Sequence, residues 1–364
     1  MKVKYKISDI FDLQMGKTPP RDEQSFWNSN DYKWVAISDL DDCKYIENTS
    51  EYISSKAVQQ TGIKIVPKNT VIMSFKLSIG KVAITKEDIY TNEAIMAFFN
   101  KGIINIELSY LYYLLKSYKW ELLAQRAAKG KSLNKEILNN AILCFNDDIQ
   151  TQKEIVVVLD KVTSLISMRK EQLEKLDILV KSKFIEMFGD PVLNPKGWEK
   201  KKGNKLFNFT NGRFLNTNNR RESGIPVYGG NGVAWYTNEY FISFPTIIIG
   251  RVGEKCGNIH YSTGPIWVTD NAIYISQFLQ NIFNLIYLSY EMDLLNFRSM
   301  AEGGGQPKIT QKILNDCFYR VPPFDLQNQF AEFVEQVENN KEKIKSSLNK
   351  LEILYSALMQ EYFG

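Results

Sequence analysis

Two long stretches of the chain carry hydrophobic residues at alternating spacings of four and three. No proline or glycine falls within 131–188 or within 324–363, so both stretches can be helical throughout. The repeating positions are Ile155, Leu159, Val162, Ile166, Arg169, Leu173, Leu176 and Val180 in the first stretch, and Phe330, Val334, Val337, Lys341, Ile344, Leu348, Leu351 and Tyr355 in the second. This is the a/d spacing of a coiled-coil seam, interrupted once in each stretch by a basic residue.

Each stretch taken alone could be a helix packed on its own domain. Two stretches with the same seam favour pairing with each other, and the basic residues at Arg169 and Lys341 would then help to set register and partner choice. About 35 residues rising 1.5 Å each would make a rod of roughly 50 Å.

The chain also repeats itself over a distance the size of a domain. Gln152, Ile155, Val158, Leu159, Val162, Leu173, Leu176, Leu179, Phe188 and Gly189 recur without a gap as Gln327, Phe330, Phe333, Val334, Val337, Leu348, Leu351, Leu354, Phe363 and Gly364. Upstream, at slightly larger offsets, 137–140 matches 313–316 and 91–95 matches 269–273. Solenoid units span about 20 to 50 residues, so this longer period indicates a duplicated domain followed by a duplicated helix.

Short apolar runs separated by turn residues precede each helix. Runs such as 70–74 and 246–250 predict buried strands, and the glycine-rich segments 228–232 and 302–307 predict turns. We therefore predict an α+β fold with a first domain at 1–146, a spacer helix at 147–190, a second domain at 191–321 and a second spacer helix at 322–364.

Composition excludes several other classes of protein. The 364 residues are 44% hydrophobic, which is ample for folded cores, and no window approaches the roughly 18 apolar residues of a membrane span. Cys43, Cys144, Cys256 and Cys317 are isolated, so neither a zinc site nor a disulfide framework is expected. We expect a cytoplasmic protein, and the net charge of +4 permits nucleic acid as a partner without requiring it.

Enzyme signatures are mostly missing. His260 is the only histidine, and Gly16-Lys17-Thr18 lacks the glycine that a phosphate loop would need at Phe11. Asp190 and the segment 199–201 have the residue types of a nuclease site, but they lie in a proline-bounded connection and are interpreted as surface charge. We predict no catalytic residue, no cofactor and no metal ligand.

Basic residues beside glycine or asparagine in predicted loops are the candidate functional residues. Arginine and lysine can bind phosphates or guanine edges, and asparagine can bind adenine. Any single one could be ordinary surface charge, but the set occupies both halves of the chain. The candidates for DNA binding are Lys76, Lys81, Lys129, Lys131, Arg213, Arg220, Arg221, Asn231, Arg251, Lys255, Arg298 and Lys308.

The repeat, the paired helices and several local motifs together resemble the specificity subunit of type I restriction-modification systems. The motifs are the segments 138–140, 152–156, 159–161 and 181–191 in the first copy, and 321–324 with Gln327, Gln329 and 358–364 in the second. The first copy departs from the pattern, since it has 145–149 in place of the prolines of the second, and Ser74-Phe75-Lys76 in place of Gly250-Arg251-Val252-Gly253.

The resemblance implies two target-recognition domains that each read one half of an asymmetric, split target in double-stranded DNA. It also implies that the two spacer helices pair as an antiparallel coiled coil. Adenine methylation would belong to two modification (methyltransferase) subunits and ATP-driven cleavage to restriction subunits, whose presence the sequence leaves open. The alternatives are a coiled-coil adaptor without DNA specificity, and a self-contained nuclease or methyltransferase.

Overall fold

The computed structural model describes residues 2–40, 44–126, 133–279, 281–303 and 305–364. The chain forms two compact units: unit 1 comprises Met1–Met168 and Leu348–Gly364, and unit 2 comprises Arg169–Ser347. Each unit thus contains one mixed α/β region and one half of each long helix. The predicted Lys129 and Lys131 lie outside the described residues.

Unit 1 contains the first mixed region. Its strands are β1 (Lys2–Lys6), β2 (Phe11–Met15), β3 (Tyr32–Val35), β4 (Tyr45–Ile46), β5 (Glu51–Ile53), β6 (Val71–Ser74), β7 (Val82–Thr85), β8 (Tyr90–Thr91), β9 (Ile95–Asn100) and β10 (Ile142–Asn146). Its helices are α1 (Ile7–Ile10), α2 (Ser55–Thr61), α3 (Leu108–Ser117), α4 (Trp120–Arg126), α5 (Lys135–Asn140) and the start of α6 (Ile149–Phe188).

Unit 2 repeats this order with fewer elements. Its strands are β11 (Lys200–Lys202), β12 (Phe207–Asn211), β13 (Ile225–Gly229), β14 (Gly232–Thr237), β15 (Thr246–Gly250), β16 (Ile259–Ser262), β17 (Trp267–Val268), β18 (Ala272–Phe278) and β19 (Phe318–Arg320). Its helices are α7 (Leu285–Leu294), α8 (Gln311–Asp316) and the start of α9 (Phe324–Phe363). The predicted strands at 70–74 and 246–250 are confirmed as β6 and β15.

The same sheets occur in both units. The main sheet has the order β2-β9-β6-β7-β4 in unit 1 and β12-β18-β15-β16 in unit 2. A three-stranded sheet lies beside each, β5-β3-β8 and β14-β13-β17, and a two-stranded sheet, β1-β10 and β11-β19, precedes the long helix. The fold class is therefore confirmed as α+β with a repeated domain. Among the residues that the structure describes, the sheets of the two units differ by one strand, β4, at the edge of the main sheet.

One detail of the predicted repeat is wrong by a residue. The backbone N–H of Asn92 donates to Val35 O at 3.0 Å, and the same bond in unit 2 joins Thr269 N to Tyr228 O at 2.8 Å. Asn92, not Thr91, is thus the counterpart of Thr269. The backbone hydrogen bonds between strands define which residues are equivalent, and this equivalence differs by one residue from the alignment based on residue types.

The two long helices pack against each other as predicted. Every predicted seam position of α6 and α9 is buried or half-buried. In unit 2, Phe330 near the start of α9 stacks edge-on against Phe184 and Phe188 near the end of α6, with ring centroids 5.3 and 5.7 Å apart. Eleven residues later, Lys341 Nζ lies 2.7 Å from Asp177 Oδ1, nearer the middle of α6, so the helices are antiparallel.

Each long helix lies within the span assigned to its spacer segment, 147–190 or 322–364. Both have 40 residues, or about 60 Å of helix. Asp148 accepts a hydrogen bond from Thr151 N at 2.8 Å and caps the first helix, while α9 begins directly after Pro323.

The end of each long helix completes the core of the unit in which it lies. Phe184 and Phe188 of α6 are fully buried among Tyr287 and Phe330 in unit 2. Tyr355, Leu358, Met359, Tyr362 and Phe363 of α9 pack on the core of unit 1, which includes Tyr110, Ile155 and Leu159.

A buried glutamine joins the mixed region to the long helix in both units. Gln152 accepts from Glu107 N at 2.8 Å and donates to Asn105 O and Asn146 O. Gln327 accepts from Asn284 N at 2.9 Å and donates to Ile282 O and Pro322 O. Both side chains are completely buried. Gln152 and Gln327, the first matched pair of the sequence repeat, therefore have the same structural role in the two units.

In the described parts of the chain, no helix has both the length and the apolar character that a membrane crossing requires.

Candidate nucleic-acid interface

The loops at one edge of unit 2 bring together most of the candidate residues of the second half. Strands β12, β13, β15 and β17 end at this edge, and β14, β16 and β18 begin there. We call the loops 212–215, 229–231, 250–258 and 269–271, with the adjoining residues 298–303 and 305–308, the rim of unit 2. Loops that project from a rigid sheet are a common place for recognition residues.

Arg251 occupies the centre of the rim. Its backbone N–H donates to Asn271 O at 2.9 Å, and its carbonyl accepts from Ile309 N at 2.8 Å, so its backbone is held between two other loops. Its guanidinium Nη1 donates to Asp270 O at 3.0 Å, a backbone partner without charge. The remaining guanidinium donors are available for a ligand at the half-exposed surface.

Arg298 and Lys308 flank the β15–β16 loop. Arg298 Nη1 donates to Gly253 O and to Cys256 Sγ, both at 2.9 Å, and so fixes the shape of that loop. Lys308 pairs through its backbone with Glu302 and Val252. The side chains of Lys308, Lys255 and Arg298 are exposed.

Arg213 lies at the end of β12, where the chain passes very close to its neighbour. A Cβ atom on the preceding Gly212 would lie 2.1 Å from Thr269 O, and one on Gly16, at the same place in unit 1, would lie 2.2 Å from Thr91 O. Only glycine fits these two positions, and the residue after each is thereby presented at the edge. The Arg213 guanidinium stacks over Phe241 at 4.6 Å.

Asn231 is exposed in the turn between β13 and β14, where its Oδ1 accepts from Asn258 Nδ2 at 3.3 Å. This contact links the turn to the β15–β16 loop. The two amides retain the donors and acceptors needed for an adenine edge.

The structure separates Arg220 and Arg221 from the other candidates. Arg221 N donates to Tyr236 O, near the far end of the β13–β14 hairpin. Tyr236 is four residues from the turn at Gly232, or about 13 Å along the strand. The two arginines are exposed but lie away from the rim.

Lys76 and Lys81 occupy the corresponding edge of unit 1. Both lie in the connection between β6 and β7, and Lys76 Nζ is 5.3 Å from the Phe75 ring. Phe75 takes the place of Arg251, because its N–H donates to Ala94 O and its carbonyl accepts from Leu133 N. The two units therefore offer different side chains on the same backbone framework.

Three residues at these edges were not predicted. Lys17 follows Gly16 as Arg213 follows Gly212, and the alignment of these two glycines was the signal that could have found it. Leu77 is 86% exposed in unit 1 and Phe214 is 74% exposed in unit 2. Leu77 and Phe214 are apolar and carry no charge or hydrogen-bonding signal in the sequence, although apolar side chains also contact thymine methyl groups.

The rim of unit 2 is basic but contains both signs of charge. The rim contains the acidic residues Glu254, Asp270 and Glu302 as well as the basic residues Arg213, Arg251, Lys255, Arg298 and Lys308. In the part of the chain that the structure describes, none of these five cations forms an ion pair. Unpaired cations and amides on fixed loops can bind phosphates and base edges, and carboxylates can accept from cytosine amino groups.

Among the described residues, no group of three or more His, Cys, Asp or Glu side chains is arranged to hold a metal ion.

Comparison with known families identifies the class of protein that this fold and edge define. The sequence profile described as "Type I restriction modification DNA specificity domain" matches residues 2–177 and again residues 195–352. The chain therefore belongs to this family, whose members are the DNA-recognition subunits of type I restriction-modification enzymes and are not themselves catalytic. The predicted resemblance and the prediction that the chain is not an enzyme are both confirmed.

Individual relatives agree with this assignment. The chain is 23% identical over 387 residues to the type I restriction enzyme EcoprrI specificity subunit of Escherichia coli, covering 96% of this chain and 93% of that protein. It is 29% identical over 218 residues to the MjaIX specificity subunit of Methanocaldococcus jannaschii, a match that spans 54% of this chain and about half (49%) of that relative. The crystal structure of the S subunit from M. genitalium has the same fold, with a TM-score of 0.65 at 18% identity, covering 100% of this chain and 96% of that one.

Proposed function

We propose that this chain reads a split, asymmetric target in double-stranded DNA and directs partner subunits to it. Residues 1–146 and 191–321 would be the two target-recognition domains, and residues 147–190 and 322–364 the spacer helices that set the gap between the half-sites. The single observation that carries the proposal is the repeated framework with different residues at its recognition edge, Phe75 and Lys76 in one unit and Arg251 and Lys255 in the other.

The rim of unit 2 is proposed to contact one half-site. The backbone of Arg251 is held between two other loops and its guanidinium retains donors for a ligand, which suits a bidentate contact with a guanine edge. Arg213, Lys255, Arg298 and Lys308 surround it and are proposed to bind phosphates. In unit 1, Lys76 and Lys81 take this role, joined by Lys17.

The asymmetry of the target follows from the difference between the two edges. The β6–β7 connection of unit 1 presents lysines and the exposed Leu77, whereas the β15–β16 loop of unit 2 presents arginine, lysine and asparagine. Since base edges are distinguished by the donors, acceptors and methyl groups that meet them, two different edges imply two different half-sites.

Partner subunits are proposed to supply the chemistry, with two modification subunits methylating adenine and restriction subunits cleaving the DNA. Support comes from apolar residues that the long helices expose outside their own seam. Val157, Met168, Ile178 and Ile353 are 66%, 55%, 64% and 62% exposed. Exposed apolar surface of this kind on a helix pair is suited to further helices.

The first test concerns the target. Methylation mapping of the host genome with and without the gene should reveal one gapped adenine motif that depends on the gene. If no modified motif disappears, the proposal does not hold in that host. Binding of the purified complex to duplex DNA should also weaken steeply with salt, because phosphate contacts release counterions; an adaptor without DNA specificity would show no such binding.

The second test locates the contact. Arg251→Ala should weaken binding to the half-site read by the second domain by about 1–3 kcal/mol, while leaving the other half-site unaffected. Lys205→Ala is the matched control, since this lysine lies at the opposite end of β12 from the rim. Arg221→Ala tests whether the far end of the β13–β14 hairpin reaches DNA. An unchanged affinity for Arg251→Ala would place that arginine outside the interface.

A further inference from the structure

The main sheet of unit 1 is extended at its edge by a short strand that has no counterpart in the described residues of unit 2. Strand β4 pairs parallel with β7, with Tyr45 opposite Ile84 and Ile46 opposite Thr85. The backbone N–H of Ile84 donates to Lys44 O at 2.8 Å. This short strand is thus joined to the sheet through the outward-facing backbone groups of β7.

A lysine anchors β4 to the long helix. Lys44 Nζ lies 2.5 and 2.7 Å from the two carboxylate oxygens of Asp160 in α6, and the side chain of Lys44 is only 18% exposed. Tyr113 in α3 donates its hydroxyl to the same carboxylate at 2.5 Å. A basic residue at the start of the added strand therefore fills a slot formed by an acid on the long helix and a tyrosine on the preceding helix.

In unit 2 the corresponding edge is open within the described residues. Val71 pairs with Ile84 in unit 1 and Ile247 pairs with Tyr261 in unit 2, so Tyr261 is the counterpart of Ile84. The bond from Gly250 N to Asn258 O fixes which pairs of β15 and β16 are hydrogen-bonded. By alternation, the backbone N–H and C=O groups of Ile259 and Tyr261 point away from β15.

A groove of about 540 Å³ lies beside this edge, between β16, α7 and α9. Its lining includes the counterparts of the unit 1 slot: Tyr290 is the sixth residue of α7 as Tyr113 is of α3, and Glu335 follows Val334 as Asp160 follows Leu159. Asp293 and Glu338 add two further carboxylates.

The groove carries an excess of negative charge. Glu338 is bonded to Lys341, and Asp293 is 4.0 Å from Lys181. Glu335 forms no ion pair with any residue that the structure describes. Glu335, the counterpart of the Asp160 that binds Lys44 in unit 1, therefore has no cationic partner among the described residues.

We propose that the free edge of β16 and this groove accept an extended segment of a partner protein. The segment adds parallel to β16, places a lysine or arginine against Glu335 and Tyr290, and follows it with an aromatic and then an aliphatic residue. Strand addition of this kind takes its affinity from main-chain hydrogen bonds and its specificity from the side-chain pockets. The proposal is independent of the DNA contacts proposed above.

A peptide with the sequence of residues 44–51 serves as the probe, because it copies the segment that fills the slot of unit 1. Its binding to the full chain can be followed by fluorescence anisotropy of a label at its C-terminus. We expect saturable binding that is weakened at least tenfold by Glu335→Lys in the protein or by a Lys44→Glu change in the peptide. Combining the two reversals should restore binding, which a misfolded variant could not do.

The matched control is Glu332→Lys, which makes the same charge change one turn earlier on α9, outside the groove. Hydrogen exchange at the Tyr261 amide should slow when the peptide is bound. Absence of saturable binding, equal losses for Glu332→Lys and Glu335→Lys, or binding that leaves the Tyr261 amide unprotected would each overturn the proposal. So would a concentration-dependent dimer of the chain alone that Glu335→Lys abolishes, since the occupant would then be a second copy.

Discussion

The buried ion pair of unit 2 offers a quantitative test of how the repeated fold is stabilised. Arg320 and Glu291 are both completely buried, with Arg320 Nη2 2.6 Å from Glu291 Oε2. Arg320 Nη1 also donates to the carbonyls of Phe188, Gly189 and Asp190 at 2.9, 3.0 and 3.1 Å. One guanidinium thus neutralises a buried carboxylate and caps the end of α6.

Unit 1 has an apolar arrangement at the same positions. Cys144 pairs with Lys4 as Arg320 pairs with Lys200, and Leu114 is the seventh residue of α3 as Glu291 is of α7. The fold therefore accommodates either an ion pair or two uncharged side chains at these positions. The effect of replacing Arg320 alone can be compared with the effect of replacing Arg320 and Glu291 together.

Arg320→Met should destabilise unit 2 by about 3–5 kcal/mol, because it leaves the Glu291 carboxylate buried without a counter-charge. Glu291→Leu combined with Arg320→Met removes that charge as well. Its remaining cost is the loss of the donor for three carbonyls and of the acceptor for the Tyr287 hydroxyl and the backbone N–H of residue 320, about 1–3 kcal/mol. We therefore expect the double variant to be more stable than the single one by roughly 2 kcal/mol.

Native-state hydrogen exchange is the appropriate assay, since a chain with two units need not unfold in one step. The opening free energies of amides in β15 and β18 report on unit 2, and amides in β6 and β9 serve as an internal reference. A double variant as unstable as Arg320→Met would refute the reasoning, because the cost would then lie in the uncapped helix end and not in the unpaired charge.

Three further predictions follow from other features. Burial lowers the pKa of His260, the only histidine, below its ordinary value of 6.5. The contribution of neutral His260 to the stability of unit 2 should therefore be fully present above about pH 6.5 and be lost as the pH falls below that value. This dependence should disappear in His260→Gln when hydrogen exchange is measured at several pH values. Gln152→Ala and Gln327→Ala should each lower the opening free energy of their own unit by about 3 kcal/mol, because buried donors and acceptors lose their partners. Gln329 is exposed, so Gln329→Ala should have almost no effect in the same assay. Inserting seven residues into both long helices, after Met168 and after Ser347, should lengthen the gap in the methylated motif by about 10 Å, or about three base pairs, and leave the half-sites unchanged. Altered half-sites at a constant gap would contradict the role of the helices as spacers.

The paired helices could be predicted from the sequence because their signal is local and periodic. Each seam residue is three or four positions from the next, so the apolar face of α6 and α9 is visible without knowledge of the partner. The polar exceptions were visible too, although the sequence could not show that Lys341 lies against Asp177. The domain-sized repeat likewise followed from direct comparison of the residues.

Features that depend on contacts between distant residues could not be predicted. Nothing near Glu291 indicates that Arg320 neutralises it, and two-residue strands such as β4 have no periodicity of their own. The edge loops posed a related difficulty. Arg220 and Arg221 resemble Arg213 in composition, and only the course of the β13–β14 hairpin separates them from it.

The division of the long helices between the units has a consequence for synthesis on the ribosome. The core of unit 1 includes Ile155 and Leu159 but is covered by Tyr355, Leu358 and Phe363, which are translated some two hundred residues later. Until those residues are synthesised, nascent unit 1 exposes this hydrophobic surface to chaperones. Premature termination of translation therefore leaves the core of unit 1 incomplete, in addition to truncating unit 2.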